Sequence, residues 1–324
     1  DIVALTKLQA TTTGDTLCDP SDPIVFAPID FPPPVYSMAV EPLSKGDEEK
    51  IGSGLSRLAE EDPTFTVQRN AETKQTVISG MGEQHLDVMI ARLKRKFGVE
   101  VRTSTPRVPY RETITRKAQA QYRHKKQTGG RGQFGEVLIE IEPLPRGGDF
   151  EFVDKIFGGA ISQAYRPAVQ KGVQEAMAEG VVAGYPLVDI RVTLLDGKEH
   201  PVDSSEMAFK IAGSMAFKEA AQKASPVLLE PIMNVEVLIP EEYMGDIMGD
   251  LNRKRGRIQG MDSRGRLQVV RAQVPLAEMF RFAIDLRSMT QGRGTYTMEF
   301  SHYEEVPAQV AQQIIEQAKQ EAEA

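Results

Sequence analysis

The chain has 324 residues, which is too long for one compact core and predicts two or three domains. Acidic residues outnumber basic ones by 46 to 39, and the net charge of −7 excludes a uniformly polycationic nucleic-acid binder while leaving room for local basic patches. Cys18 is the only cysteine, which excludes an internal disulfide, and no run of roughly 20 apolar residues predicts a membrane span. The first residues, DIVALTKLQA, show no basic start followed by an apolar run, so they do not predict a secretory signal.

Residues 1–30 carry short β-type runs separated by turn signals. They end at Phe31-Pro32-Pro33-Pro34, a stiff stretch typical of a domain boundary. We interpret residues 1–30 as the end of a β domain.

Two later segments repeat one order of elements. Residues 35–106 and 231–303 each read strand, helix, strand, strand, helix, strand, with apolar residues at helical spacing such as Leu86, Met89 and Leu93. This order predicts two ferredoxin-like βαββαβ modules, in which two helices cover one face of a four-stranded sheet.

The region between the modules, residues 108–230, is organised differently. It predicts a long strand over residues 110–125, a glycine-rich loop and a second strand over residues 136–144, followed by a helix, a strand and a helix. The tail from residue 304 to residue 324 predicts an amphipathic helix packed on the body. The predicted fold class is therefore α+β, with two ferredoxin-like modules flanking an α/β domain and a β-barrel tail at the N-terminus.

The run from Gly130 to Gly135 matches the dinucleotide fingerprint G-x-G-x-x-G letter for letter. That fingerprint requires a helix after the glycines, so that the pyrophosphate meets the helix N-terminus. Here alternating apolar residues predict a strand instead, so we interpret the run as the tip of a hairpin and not as a nucleotide site.

Basic residues crowd this hairpin tip. Arg123, His124, Lys125, Lys126 and Arg131 lie within nine residues, beside glycines that let a backbone approach closely. Lysine and arginine contact phosphates, so the pattern is typical of an RNA-binding loop. A solvated hairpin with no partner explains the composition equally well.

A second loop, residues 196–205, contains His200 without any clustered cysteine or histidine partner. Asp203 with Glu206 predicts a capping box at the start of the next helix, with Asp203 as N-cap. Histidine, aspartate and serine are close here, but no nucleophile elbow is indicated, so we reject a hydrolase triad.

Two more basic clusters, residues 92–96 and 253–257, lie at predicted helix C-termini, where cations also favour the helix dipole. Capping and a phosphate-binding surface both remain open as explanations. The sequence contains no G-x-x-x-x-G-K-[ST] loop, so these residues are not expected to hydrolyse GTP alone.

Several strings in the chain are specific, and together they resemble the elongation factor G family of translational GTPases. The resemblance runs almost from end to end. The strings are GDTLCDP (Gly14 to Pro20), SGMGEQHLDV (Ser79 to Val88), QTGGRGQFG (Gln127 to Gly135), HPVDSSEMAFK (His200 to Lys210), MGDLNRKRGRI (Met248 to Ile258) and LRSMTQGRG (Leu286 to Gly294).

The resemblance implies a domain assignment for the whole chain. Residues 1–30 would end domain II, a β-barrel, and residues 35–106 would form domain III. Residues 108–230 would form domain IV, residues 231–303 domain V and residues 304–324 a C-terminal helix. The GTPase domain of the family would lie outside these residues.

The resemblance also implies a function. The family drives GTP-dependent translocation of transfer RNA and messenger RNA on the ribosome, with domain IV entering the decoding centre and domain V lying near the stalk base. Its implied setting is a cytoplasmic monomer, and GTP and Mg²⁺ would serve the full-length parent only. The ribosome-contacting residues would be Lys125, Lys126, Gln127, Gly129, Gly130, Arg131, Gly132, Gln133, Lys198, His200, Arg253, Arg255 and Arg257; no catalytic residue or metal ligand is predicted.

Two positions depart from the usual family pattern. Gln84 stands where the family commonly has leucine, and the second tip loop reads GKEHP where G-S-Y-H-[DE] is common. With these differences, the parent protein could also be a ribosomal-protection or ribosome-recycling paralogue of the same family.

Overall fold

The protein is described from a computed structural model, which covers residues 2–127 and 132–323. The chain forms two compact units, one from residues 1–108 and 232–301 and the other from residues 109–231 and 302–324. Both units combine sheets with helices, and the predicted α+β class is confirmed.

The segment of residues 2–34 contains no helix or strand, so the predicted β-type runs are not formed as strands. Local polar contacts shape its turns, as where the Asp15 carboxylate accepts the Thr12 N–H at 2.7 Å. A strand needs a neighbour for its backbone hydrogen bonds, and none of the described strands pairs with this segment. Its assignment to a β-barrel stays a prediction.

The first predicted module forms an antiparallel sheet with two helices. Its elements are β1 (Tyr36–Pro42), α1 (Glu48–Glu61), β2 (Thr66–Asn70), β3 (Gln75–Gly80), α2 (Glu83–Phe97) and β4 (Val101–Ser104). The sheet order β2-β3-β1-β4 fits a ferredoxin-like unit. Leu58, Leu86 and Leu93 are fully buried in one core, because helical spacing places the apolar residues of α1 and α2 on the sheet side.

The second unit contains a four-stranded sheet and two long helices. Its elements are β5 (Arg111–Ile114), β6 (Ala118–Lys126), β7 (Gln133–Pro143), β8 (Phe150–Asp154), α3 (Arg166–Glu179), β9 (Ile190–Lys198) and α4 (Glu206–Lys223). The sheet order is β6-β7-β9-β8, in which β8 and β9 run parallel and the other pairs antiparallel. Ile139, Val173 and Phe209 are fully buried in the core that the sheet shares with α3 and α4.

The single strand predicted over residues 110–125 is wrong, because the structure has two strands there. The chain turns between β5 and β6, where the N–H groups of Thr115 and Arg116 both donate to the Ala224 carbonyl, at 3.2 and 3.0 Å. β6 then pairs with β7, whereas β5 pairs with residues 226–229. No glycine or proline lies within residues 110–125, so the sequence does not mark the break.

The last predicted module follows, and the C-terminal helix completes the chain. The elements are β10 (Pro226–Pro240), α5 (Met244–Arg253), β11 (Arg257–Arg264), β12 (Leu267–Pro275), α6 (Phe282–Met289), β13 (Thr295–Glu305) and α7 (Ala308–Glu323). The order β11-β12-β10-β13 repeats that of the first module. Residues 226–231 of β10 belong to the second unit and residues 232–240 to the first.

Helix α6 is short and covers only Phe282–Met289. It ends at Met289 because the Thr290 hydroxyl donates to the Leu286 carbonyl at 2.7 Å and accepts the Gly294 N–H at 2.8 Å. Side-chain bonds of this kind compete with the helical ladder.

The C-terminal helix packs on the second unit, as its apolar stripe predicted. Ile314 of α7 is buried against Leu228 and Val306 in a small core of its own. No helix within residues 2–127 and 132–323 has both the length and the apolar character needed to cross a membrane.

Candidate nucleic-acid interface

Strand pairing brings the two predicted loops to one end of the sheet in the second unit. Lys126 at the end of β6 lies opposite Gln133 at the start of β7, and Glu136 lies opposite Lys198 at the end of β9. The β6–β7 hairpin and the β9–α4 loop therefore leave the sheet at the same end of its strands. We call residues 123–127, 132–136 and 197–204 together the tip.

Direct hydrogen bonds join the two loops of the tip, which are about 70 positions apart in sequence. The Asp203 carboxylate accepts the Gly132 N–H at 3.0 Å, and the Asp203 carbonyl accepts the Phe134 N–H at 2.9 Å. The Ser204 hydroxyl donates to the Phe134 carbonyl at 3.0 Å and accepts the His200 N–H at 2.8 Å. Each loop thus holds the other in place.

The predicted role of Asp203 as the N-cap of α4 is wrong. Ser205 is the N-cap, and its hydroxyl accepts the Ala208 N–H at 3.2 Å. The Asp203 carboxylate is already bound to Gly132 in the other loop. A capping pattern describes local contacts only, so it misses the long-range partner that takes this carboxylate.

His200 has a fixed orientation although its side chain is 48% exposed. Its Nδ1 accepts the N–H groups of Val202 at 3.3 Å and Asp203 at 3.1 Å, so a neutral imidazole carries its proton on Nε2. No group in the described part of the chain bonds to Nε2. The ring therefore offers an N–H donor to a partner beyond the tip.

Exposed lysines surround the loops, whereas Arg123 is held by the sheet. Glu136 is almost fully buried and accepts hydrogen bonds from Arg123 Nε and Gln121 Nε2, both at 2.5 Å. The hydrogen bond from Arg123 holds the pKa of the Glu136 carboxyl below its ordinary value, although burial opposes the shift. Lys125, Lys126 and Lys198 are exposed and extend the positive surface.

Three of the predicted contact residues, Gly129, Gly130 and Arg131, lie outside the described residues. Gln127 and Gln133 flank them, and Gln133 bonds through its side-chain oxygen to His124 Nε2 at 2.9 Å. At Gly132, an added Cβ would lie 3.0 Å from the Asp203 carboxyl carbon, so a side chain there would press on the bond that joins the loops.

The predicted basic cluster of residues 253–257 belongs to the first unit, and part of it is structural. Lys254 Nζ lies between the carboxylates of Asp250 and Asp285, at 2.8 and 2.9 Å. Arg255 pairs with Glu278 at 3.1 Å. Both residues stabilise the end of α5, so capping explains a share of this cluster.

Arg253 and Arg257 are the members of the cluster that face solvent. The Arg253 side chain is 77% exposed while it contacts Asp250 at 3.3 Å, and Arg257 is exposed at the start of β11. Of the predicted contacts in this cluster, these two present the most accessible charge. RNA contact by either residue stays a prediction.

The described residues contain no group of three or more histidine, cysteine, aspartate or glutamate side chains that could hold a metal ion. The tip offers positive charge, backbone groups and one oriented imidazole. These features suit recognition of an anionic chain.

Family comparisons agree with the resemblance seen in the sequence. Residues 31–105 match a model described as elongation factor G, domain III, residues 106–225 match elongation factor G, domain IV, and residues 227–314 match the elongation factor G C-terminus. A crystal structure of a protein from Thermus thermophilus superposes with a TM-score of 0.81 at 43% sequence identity. The match covers 94% of this chain and 45% of that one, so this chain spans less than half the length of that relative.

Proposed function

This chain belongs to the elongation factor G family, and from that premise we propose that the tip binds ribosomal RNA at the decoding centre. The observation that carries the proposal is the joining of a lysine-rich hairpin to the His200 loop by the bonds of Asp203 and Ser204. A surface fixed in this way loses little conformational freedom when it binds.

Lysines and glycines would supply most of the affinity of the tip. Lys125, Lys126 and Lys198 would neutralise phosphates, a contribution that weakens as salt concentration rises. The N–H donor at His200 Nε2 would bond to an acceptor on the RNA near the end of a transfer-RNA anticodon arm. Phosphate contacts position the tip, while this single directed donor gives it orientation.

In the full-length parent, the tip would act without catalysing any bond change. Occupying the decoding centre would keep transfer RNA and messenger RNA from slipping back during translocation. The βαββαβ modules would act as rigid bodies that transmit reorientation from the GTPase. The chain contains no phosphate-binding loop, so no step with GTP is assigned to its residues.

One departure from the family pattern has a structural explanation. Glu199, in the GKEHP stretch, accepts the Ser162 N–H at 2.9 Å and so holds a neighbouring loop. This hydrogen bond gives the departure a role within the fold of the second unit. Rescue of translation from tetracycline by the parent protein would nevertheless distinguish protection from translocation.

Removing the tip lysines is expected to weaken ribosome binding in a salt-dependent way. For the triple variant Lys125→Ala, Lys126→Ala and Lys198→Ala, we expect the slope of log affinity against log salt to fall by about 2 to 3. Titration of the chain with bacterial 70S ribosomes at several salt concentrations measures this slope.

The matched control removes three exposed cations of the same unit, Arg116, Lys223 and Lys319. Lys223 ends α4, roughly 27 Å along the helix from the tip. The proposal predicts a much smaller change for the control. Equal losses in the two triple variants would show that binding reflects net charge and not the tip.

A further inference from the structure

Phe157 is an aromatic side chain with almost no contact to the rest of the protein. It is 95% exposed, whereas the fully buried phenylalanines include Phe209 and Phe217 in the same unit. Gly158 and Gly159 follow it with φ values of +68° and +77°. These glycines turn the chain tightly and leave Phe157 at the apex of the β8–α3 loop, residues 155–165.

The base of this loop is anchored on both sides of the apex. Before Phe157, the Lys155 N–H donates to the Leu194 carbonyl at 2.9 Å and the Ile156 N–H donates to the Asp154 carboxylate at 3.0 Å. After it, Ile161 is fully buried, and its carbonyl accepts two bonds from the Arg166 guanidinium, at 3.0 and 3.1 Å. The loop therefore presents Phe157 from a fixed base.

The same loop lies against the tip. The β8 strand runs parallel to β9, with Asp154 opposite Leu194. Both strands therefore finish at the end of the sheet from which the tip loops leave. The Ser162 N–H donates to Glu199, and Tyr165 OH donates to the Ser204 carbonyl at 3.4 Å. A third loop thus joins the two that form the candidate interface.

Charge at this edge also suits a nucleic acid. Two of the nearby carboxylates are bound within the fold, Asp154 by Arg166 at 2.8 Å and Glu199 by the Ser162 N–H. Lys155, two residues before Phe157, and Lys198 are exposed. An exposed aromatic ring beside lysines is the combination that proteins use to stack unpaired bases while contacting phosphates.

We propose that Phe157 stacks on an unpaired base of the RNA that the tip binds, which makes the β8–α3 loop a third contact element. The inference rests on the proposed function, because the RNA is the one contacted by the tip. The expected partner of the Phe157 ring is an RNA base and not an apolar pocket of a ribosomal protein, because the ring lies beside a surface that carries lysines.

Substitution of Phe157 separates stacking from simple apolar contact. We expect Phe157→Ala and Phe157→Leu each to weaken binding of the chain to 70S ribosomes about tenfold, and Phe157→Tyr to bind within about twofold of the original chain. The salt slope should stay unchanged in all three variants, since no charge is removed. Phe26→Ala, at an aromatic that is 74% exposed in the N-terminal segment, is the matched control and should have no effect.

Each outcome decides the proposal. Full binding by Phe157→Ala, while the lysine variant of the tip still binds weakly, would overturn the role of Phe157 and leave the proposed function standing. Full binding by Phe157→Leu would indicate an apolar protein contact instead of a base, as would photo-crosslinking from position 157 to a ribosomal protein alone. If the unsubstituted chain does not bind ribosomes, both proposals fail together.

Discussion

Replacing Glu112 by alanine is expected to destabilise the second unit by about 4 kcal/mol or more, near the upper end of single-residue effects. Glu112 lies on β5 and is fully buried. Its carboxylate accepts four backbone N–H groups, from Val181 and Val182 at 2.7 and 2.9 Å and from Ala183 and Tyr185 at 2.8 and 3.1 Å. Alanine would leave these four part-buried donors without their acceptor.

The substitution Glu112→Gln tests the same account more finely. The glutamine amide oxygen can still accept hydrogen bonds, but its NH₂ group would face N–H donors. We therefore expect Glu112→Gln also to destabilise the second unit, by somewhat less than Glu112→Ala. Urea unfolding followed by circular dichroism measures both variants. Glu179→Ala removes an exposed carboxylate paired with Lys218 and should change stability by less than about 1 kcal/mol. A comparable loss in Glu179→Ala and Glu112→Ala would contradict the role given to Glu112.

Replacing Gly172 by alanine is expected to destabilise the same unit by about 3 kcal/mol, although alanine favours helices by about 1 kcal/mol over glycine. A Cβ at Gly172 in α3 would lie 2.0 Å from the Lys210 carbonyl oxygen in α4. The reciprocal position, Gly213, would place a Cβ 2.6 Å from the Val169 carbonyl oxygen. Because these neighbours are helix backbone, only separation of α3 from α4 relieves the clash.

The close crossing also bears on the tip, because α4 begins at Glu206, directly after the His200 loop. Gly245→Ala in α5 is the matched control, since an added Cβ there meets open space. It should be neutral or stabilising by up to about 1 kcal/mol. Thermal unfolding of both variants gives the comparison, and a neutral Gly172→Ala would show that the helices adjust more easily than their packing indicates.

Periodicity in the sequence predicted the two βαββαβ orders, because each helix there covers a single sheet and shows a one-sided apolar stripe. Leu58 and Leu93 lie in the buried core for that reason. The α/β region was harder to predict. The short strand β8 has only five residues, and the turn between β5 and β6 is set by the Ala224 carbonyl, about 110 positions away in sequence.

The tip was predictable in composition but not in geometry. The lysines and His200 were evident as candidates, and the family resemblance placed their loops together. The partners of Asp203 and Ser204 could not be predicted, because a short polar residue bonds locally or across the fold with no difference in pattern. Phe157 was missed since one aromatic residue in a glycine loop looks the same whether it is buried or exposed.

Directed hydroxyl-radical cleavage from the tip would test the central claim most directly. An iron chelate would be tethered at position 202 in the variant Cys18→Ser, Val202→Cys, and at position 223 in the control variant Cys18→Ser, Lys223→Cys. With both variants bound to 70S ribosomes, we expect strong cleavage of small-subunit RNA around the decoding centre from position 202 and little there from position 223. Cleavage elsewhere from position 202, or the same pattern from both positions, would contradict the claim that this tip meets the decoding centre.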